Sequence, residues 1–238
     1  MRLAPLLATA LLACAQTELR FEVASIKPAS DDEIAAGTSG LKTGHGRAIG
    51  TNVTLKRCII GCYHIGPGQV IGGPNWLDSD RFHIEAKAAD PVNDDAILDA
   101  MLRNLLAERF HLVVHQETRN LRALVLAVSK RGPKLETAEG GDAGTDAGHG
   151  MLTLKNSTMD ALAERLARAT DLPVVNHTGL AGVFNLRLTW TPDNDQPKPD
   201  GPPPLSIAIQ EQLGLQLKSQ RAPVEVLVVD HAGKPTEN

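Results

Sequence analysis

The chain contains two versions of the same sequence pattern, separated by about 103 residues. Four blocks recur in one order, at offsets between 102 and 104 residues. A near-constant offset indicates a duplicated structural unit of about a hundred residues. We therefore expect two copies, over 47–130 and 151–233, in which Phe82 and Phe184 occupy equivalent strands. The matched blocks are 52–55 with 156–159, 81–87 with 183–189, 108–112 with 211–215, and 121–126 with 224–229.

Each copy mixes two kinds of apolar spacing. Alternating apolar residues indicate strands, and apolar residues at 3.6-residue spacing indicate helices. The order predicts a strand–helix–strand–helix–strand–strand unit and an α+β fold of two fused copies, with mostly antiparallel sheets and helices on one face. The predicted strands are 18–28, 81–86, 112–116 paired as a hairpin with 121–128, 151–154, 183–190, 215–217 and 224–229, and the predicted helices are 54–63, one behind 93–95, one behind Ser157, and 205–213.

The segment between the copies has a different composition. Residues 136–150 are rich in Gly, Asp, Ala and Thr, which predicts a linker rather than a core element. The expected organisation is a first copy with an N-terminal strand at 16–135, the linker at 136–150, and a second copy at 151–238.

Polar residues mark the predicted helix starts. Asn52 or Thr54 is expected to cap the first helix, and Ser157 with an acid three residues later fits a capping box. Asn52, Asn156 and Asn176 also begin Asn-x-Ser/Thr triplets. Two of these triplets lie where a helix needs its cap, so they require no glycan to explain them.

The first fifteen residues have the pattern of a removable export signal. Arg2 supplies a positive charge, residues 3–13 form an apolar run, and Ala13-Cys14-Ala15 forms a small-residue cleavage site. The apolar run is too short to cross a bilayer, which needs about 20 residues. The same stretch resembles a bacterial lipobox, in which Cys14 would carry the lipid. We expect a periplasmic or secreted protein, or alternatively one anchored to the membrane only through Cys14.

Charge and composition exclude some functions. The formal net charge is −4, and the chain has no basic stripe, which argues against a nucleic-acid partner. Aromatic residues make up 3% of the chain, too few for a base-stacking or sugar-stacking surface. The chain contains no nucleophile elbow, no phosphate-binding Walker loop and no H-E-x-x-H motif, and its Gly-rich segments are typical of turns. We therefore expect no cofactor.

Two cysteines follow the predicted signal. Cys58 and Cys62 have the spacing that places both on one face of a helix. Three interpretations remain open. Both side chains can be small apolar core residues, they can form a disulfide despite the awkward spacing within a helix, or they can serve metal or redox chemistry.

Two histidine patterns suggest chemistry. His111 and His115 form H-x-x-x-H, which suits zinc on a helix, but here the pair falls where a helix turns into a β-branched run. No acidic ligand is placed nearby, so no metal is predicted. Asp230 and His231 are adjacent and offer half of a catalytic pair, but no nucleophile can be named beside them.

Five residues remain as candidate binding residues: Trp76, Arg81, His115, Thr178 and Asp230. Trp76 lies beside a central strand, where it closes the edge of a core or contacts a ligand. Arg81 flanks the same strand, where a charge must be paired or exposed. Thr178 precedes a glycine, where its hydroxyl can bond the backbone of a turn.

Five stretches follow the pattern of one protein family: 21–28, 72–82, 106–110 with His115, 178–182 and 229–238. They resemble the exported domain-of-unknown-function family that is expanded in acidobacterial soil genomes. The resemblance covers essentially the whole chain after the signal and implies export. It carries over no catalytic residue. Similar domains can follow membrane metallopeptidases of the beta-lactam-sensor type. This chain departs from the family pattern at Asn176, where Asp is usual, and at Cys58 and Cys62, where apolar residues are usual.

The sequence favours a non-enzymatic module in the cell envelope that binds an unknown protein or small molecule. The cleft between duplicated lobes is a natural ligand position. The first alternative is a secreted hydrolase with a dispersed site at His115, Asp230 and His231. The second is a sensor-type domain that works with a membrane metallopeptidase. The hydrolase hypothesis loses its site if His115 and Asp230 face apart.

Overall fold

A computed structural model of the chain describes residues 19–235 apart from 36, 197, 198 and 200. The predicted signal at 1–15, including Cys14, lies outside the described residues. The described part has the predicted α+β architecture, and most of its strand pairs are antiparallel. None of its helices combines the length and hydropathy that crossing a bilayer requires.

Twelve strands in the described part form three four-stranded sheets. The strands are β1 Val23–Pro28, β2 Gly40–Gly44, β3 Arg47–Thr54, β4 Val70–Gly72, β5 Arg81–Lys87, β6 Val113–Val128, β7 Glu136–Thr137, β8 Gly144–Gly148, β9 Met151–Ser157, β10 Val174–Asn176, β11 Phe184–Thr189 and β12 Leu215–His231. The helices are α1 Asp31–Ala35, α2 Leu55–Tyr63, α3 Asp95–Arg109, α4 Met159–Thr170 and α5 Leu205–Ala208, which continues as a π-helical turn, Ile209–Leu213. Two 3₁₀ turns cover Pro67–Gln69 and Asn75–Asp78.

The first outer sheet has the order β1-β5-β3-β2, with every pair antiparallel. Side chains alternate between its faces, so Phe82 and Ile84 of β5 enter the core. A bulge in β3 places Asn52 in the left-handed region, with φ at 51°. The extra residue brings Val53 opposite Phe82.

The second outer sheet has the order β7-β11-β9-β8, also antiparallel. Its bulge places Asn156 at φ 47° and brings Ser157 opposite Phe184. The segment 136–150, expected to be a linker, instead supplies both edge strands of this sheet. Its composition was misleading because a short edge strand needs main-chain hydrogen bonds to one neighbour and no alternating apolar residues.

The central sheet has the order β10-β6-β12-β4. β6 and β12 pair antiparallel along almost their whole length, and Asn120 lies opposite Pro223 at the middle. The hairpin predicted for 112–116 and 121–128 is wrong, because both stretches belong to the single strand β6. Nothing between them supplies a tight turn, and their partner is β12. Each short edge strand pairs with the long strand of the other half: β4 pairs parallel with β12, and β10 pairs parallel with β6.

Threonine side chains begin two of the helices. Thr54 accepts a hydrogen bond from Arg57 N at 3.1 Å, which confirms one of the two predicted caps of α2. α4 is capped by Thr158, whose hydroxyl oxygen accepts from Ala161 N at 3.2 Å. The capping box expected at Ser157 is therefore wrong. Ser157 lies inside the bulge and donates its hydroxyl to a main-chain oxygen two residues back.

Helices α2, α3 and α4 and the 205–213 helical segment pack into cores that the outer sheets share with the central sheet. One core cluster combines the first outer sheet, α2 and α3 with Leu227 and Val229 of β12. The other combines the second outer sheet, α4 and the 205–213 helical segment with Leu126 of β6. Because each core takes residues from the long strand of the other half, the halves share one folded body.

Candidate functional site

Trp76 belongs to an aromatic cluster of the first core. Its ring centroid lies 6.4 Å from that of Phe82 and 6.4 Å from that of Phe110, and the last two rings meet edge to face at 5.1 Å. The ammonium of Lys234 lies 6.0 Å from the Trp76 centroid and also pairs with Asp80 at 2.6 Å. These contacts give Trp76 a packing role and attach the C-terminal strand extension to the first core.

Arg81 is the first residue of β5 and lies opposite Thr54, the residue that caps α2, beside a cleft of about 630 Å³. Its Nη1 donates to a main-chain oxygen, that of Asn52, at 3.0 Å. Lys56, across the cleft, forms an ion pair with Asp78 at 2.9 Å. Two of the cations at this cleft are thus already held by protein groups, and Arg81 supports the bulge of β3.

Thr178 organises a turn. Its hydroxyl donates to Asn176 Oδ1 at 2.8 Å, and its oxygen accepts from Leu180 N at 3.2 Å. The Asn176 amide group donates to Asp160 Oδ1 at 2.8 Å and so ties the turn to α4. The Asn176 and Thr178 side chains thus have protein partners, which is the ordinary situation of polar turn residues.

His115 and Asp230 meet on the central sheet. His115 Nδ1 donates to Asp230 Oδ2 at 2.8 Å, and its Nε2 lies 3.7 Å from Glu117 Oε2. Glu117 also pairs with Arg119. The histidine and aspartate side chains are about half exposed, at 50% and 42%. The pair is therefore formed, but on an open surface, and no hydroxyl or thiol among the described residues is bonded to it.

The five predicted residues fall in three separate places and do not form one site. Trp76 packs in the first core and Arg81 begins the neighbouring strand β5, His115 and Asp230 lie on the central sheet, and Thr178 lies in a turn beside α4. Among the described residues, no group of three or more His, Cys, Asp or Glu side chains has an arrangement that would hold a metal ion.

Cys58 and Cys62 are free, buried thiols on α2. The disulfide considered for them is not formed, because successive turns of a helix hold the two sulfurs in an unsuitable orientation. Burial raises the pKa of Cys58 to about 12, and it raises the pKa of Cys62 still further. Thiols with these values stay protonated and serve the core as small apolar side chains.

The feature with the strongest site character is a cavity of about 660 Å³ where the two halves meet. We call it the inter-half cavity. It is lined by α2 and α3 of the first half, by α4 of the second half, and by the two edge strands β2 and β8. Its volume lies within the range of natural small-molecule sites. The residues that define its chemistry are Lys42, His64, Asp99, Arg165 and Arg168.

A short polar pair forms one wall of this cavity. His64 ends α2 in the left-handed conformation, with φ at 53°, and its Nε2 donates to Asp99 Oδ2 at 2.5 Å. Asp99 is 7% exposed. His64 Nδ1 also lies 3.8 Å from Glu164 Oε1 on α4. The imidazole therefore stands between carboxylates of both halves.

α4 contributes two guanidinium groups to the lining of the cavity. Arg168 Nη2 pairs with Glu164 Oε1 at 2.6 Å, and its buried Nε has no hydrogen-bond partner. Arg165 is half-buried and forms no hydrogen bond or ion pair with any of the described residues. Arg165 is therefore the cationic group of α4 that remains available to an acceptor in the cavity.

None of the charged residues around this cavity was predicted from the sequence. One signal was present, because Asp99 lies one turn before Leu102 on the apolar face of α3. A carboxylate on the buried face of a helix needs a polar partner, so Asp99 indicates a polar contact on this face of α3. His64 and Arg165 gave no such signal, since they become neighbours only when the halves pack together.

The fold and the cavity define an α+β protein with a charged cleft shared by two halves. Residues 56–232 match the model of the family described as "Protein of unknown function (DUF3738)", and the chain belongs to this family. The resemblance to a domain-of-unknown-function family is thereby confirmed. The match spans α2 to β12 and includes His64, Asp99, Arg165 and Arg168. No curated protein and no solved structure matches the chain.

Proposed function

We propose that this protein is a non-enzymatic binding module of the cell envelope that holds an acidic ligand in the inter-half cavity. One observation carries the proposal: Arg165 lines the cavity without any partner among the described residues. Guanidinium groups recognise carboxylates and phosphates through paired hydrogen bonds. A ligand carboxylate is the simplest acceptor for Arg165, and the Arg168 side chain lines the same cavity.

The charges inside the cavity support an acidic ligand over a basic one. Lys42, Arg165 and Arg168 face the space together with Asp95 and Asp99. Asp99 is satisfied by His64, and neither Asp95 nor Arg165 has a partner among the described residues, so the lining carries three basic and two acidic side chains. An entering anion would complete the arrangement, and an entering cation would meet unpaired positive charge at short range.

We also infer that the two halves are copies of one unit and that the cavity lies where the copies meet. The bulges support this inference, since Asn52 and Asn156 both have positive φ and stand 104 residues apart. The strand pairings support it too. Phe82 faces Val53, and Phe184 faces Ser157, which stands 104 positions after Val53.

Export remains part of the proposal. It is supported by the charged, apolar and small-residue segments at 1–15, and lipidation of Cys14 would be the anchored version. Intact-mass measurement of protein from an envelope fraction should show loss of 15 residues or a lipid on Cys14. Protein that keeps Met1 would contradict both versions.

A second candidate function is hydrolysis at the His115–Asp230 pair, favoured by their 2.8 Å hydrogen bond. The orienting carboxylate and the histidine base are in place, but no nucleophile is bonded to the histidine in the described part. We expect no turnover of ester, amide or glycoside substrates. Hydrolysis that is lost in His115→Ala and kept in His149→Ala would favour the hydrolase function over the binding function.

A panel of small acids tests the binding proposal directly. Acetate, glutarate and citrate are titrated against the full chain, with thermal shift and calorimetry as readouts. We expect binding of a polycarboxylate that is weakened about tenfold or more in Arg165→Gln and in Arg168→Gln. Arg187→Gln is the matched control, because Arg187 is an exposed arginine on β11, away from the cavity. Equal affinity in all variants, or no binding, would contradict the proposal.

A further inference from the structure

β2 borders the inter-half cavity with its edge rather than with one face. Three consecutive residues of the strand, Leu41, Lys42 and Thr43, line the space. Side chains of a strand point alternately to opposite faces. Three consecutive lining residues therefore indicate that the edge of β2, rather than one of its faces, borders the cavity. β2 is the last strand of its sheet and pairs only with β3 in the described part. Its outer main-chain groups therefore point toward the cavity.

Other elements line the cavity beside this edge and give it the form of a slot. β8 contributes the alternate residues Thr145 and Ala147. α2 and α3 contribute Gly61 and Leu102. A Cβ at position 61 would lie 2.8 Å from the Leu41 methyl carbon Cδ2, so a larger residue there would require the Leu41 side chain to shift. The Leu41 side chain thus packs closely against Gly61.

We propose that the ligand of the inter-half cavity is an extended acidic peptide that adds to the edge of β2 as a fifth strand. This inference rests on the proposed function and names its ligand class. An unpaired sheet edge recognises peptide main chain, and pockets beside it recognise alternate side chains. The five residues of β2, Gly40–Gly44, contain no proline and match a peptide segment about 17 Å long.

Charge complementarity selects the acidic peptide over other occupants. In a strand laid along β2, every second side chain points to the same side. Acidic side chains at alternate positions would then meet Arg165 and Arg168 on α4. Lys42, on β2 itself, adds a third positive charge to the slot. A basic peptide would place its charges against the same three groups and be repelled.

The test uses fluorescein-labelled acetyl-Glu-Val-Glu-Val-Glu-Val-amide and the full chain, with fluorescence anisotropy as readout. Two further probes carry N-methyl groups, one on the three glutamates and the other on the three valines. In a strand, alternate N–H groups point to the same neighbour, so only one methylation pattern should abolish binding. A lysine-for-glutamate probe should not bind, and Arg165→Gln should weaken the acidic probe about tenfold while Arg187→Gln leaves it unchanged.

The outcomes separate this inference from the proposed function. If glutarate or citrate binds in an Arg165-dependent manner and no peptide binds, the cavity holds small acids and the strand inference is wrong. If both methylated probes bind as well as the parent, the peptide is held by side chains alone and the strand inference is again wrong. If neither acids nor peptides bind, the proposed function and the inference fail together.

Discussion

Asn120 and Pro223 face each other at the middle of the β6–β12 pair, and they stand 103 residues apart in the chain. This separation equals the offset at which the sequence blocks recur. Asn120 of the first half and Pro223 of the second half are therefore equivalent positions of the repeat, and they pair with each other. Such a pairing is what an approximate twofold axis through the central sheet would produce, and it supports the proposed duplication more directly than the sequence blocks do.

The buried carboxylate of the inter-half cavity should contribute to stability. Asp99→Ala removes the acceptor of the 2.5 Å bond from His64 and leaves a polar gap at a site that is 7% exposed. We expect a loss of about 1–3 kcal/mol in the free energy of unfolding, measured by urea denaturation. Asp142→Ala, at an exposed position, is the control and should change the free energy by less than about 0.5 kcal/mol. Equal effects would mean that the pair is energetically neutral.

The threonine caps should have matching effects. Thr54→Ala removes the acceptor for Arg57 N, and Thr158→Ala removes the acceptor for Ala161 N. Each substitution should cost about 1 kcal/mol in the free energy of unfolding. Chemical denaturation of the two variants, with Thr118→Ala as the same exchange at an exposed non-cap position, measures the difference. A much smaller loss for one threonine would show that its helix start is held by packing.

The two cysteines should resist alkylation in the folded protein. Burial raises the pKa of Cys58 to about 12 from an ordinary value of 9.0, so the reactive thiolate is scarce. Iodoacetamide at pH 8, followed by peptide mass spectrometry, should label Cys58 and Cys62 only after addition of denaturant. Rapid labelling of either cysteine in native buffer would contradict their assignment to the core.

The same thiols should make stability fall in alkaline solution. Their pKa is raised in the folded state, so the stabilisation is complete below pH 9.0 and declines as pH rises toward about 12. In that window the unfolded chain loses the protons that the folded chain keeps, at about 1.4 kcal/mol per pH unit for each thiol. Urea denaturation between pH 8 and 10.5 should show a shallower decline for a Cys58→Val, Cys62→Ala variant. Parallel curves would contradict the linkage.

Glu33 should stabilise the fold in the opposite pH range. Hydrogen bonds from Ser30 N and Ser30 Oγ, and then from His83, lower the pKa of Glu33 from 4.5 to about 2. The contribution is therefore complete above pH 4.5 and is lost as pH falls toward 2. Glu33→Gln should lower the melting temperature at pH 6, and the difference from the natural chain should shrink below pH 4.5. A pH-independent difference would show that the carboxylate charge is immaterial.

The sequence predicted the features that depend on local patterns. Thr54 identified a helix start through its cap, and the apolar alternation around Phe82 and Phe184 identified the inner strands of both outer sheets. The sequence did not predict features whose interacting residues lie far apart along the chain. Residues 117–120 were read as a turn because the strand that orders them is β12, more than a hundred residues later. The cavity residues were missed for the same reason, since His64 and Glu164 stand 100 residues apart.

β4 and β10 each pair with the long strand of the other half, and this arrangement affects the order in which the chain can fold. β4 has no neighbour until β12 arrives, and Val70 must wait for Leu227. The first core also lacks Leu227 and Val229 until then. Loop closure over such distances is slow, so a ribosome-bound or half-translocated chain stays incompletely folded until its final strand emerges. For the export proposed above, a topology closed by its last strand would delay folding until the whole chain has crossed a narrow pore.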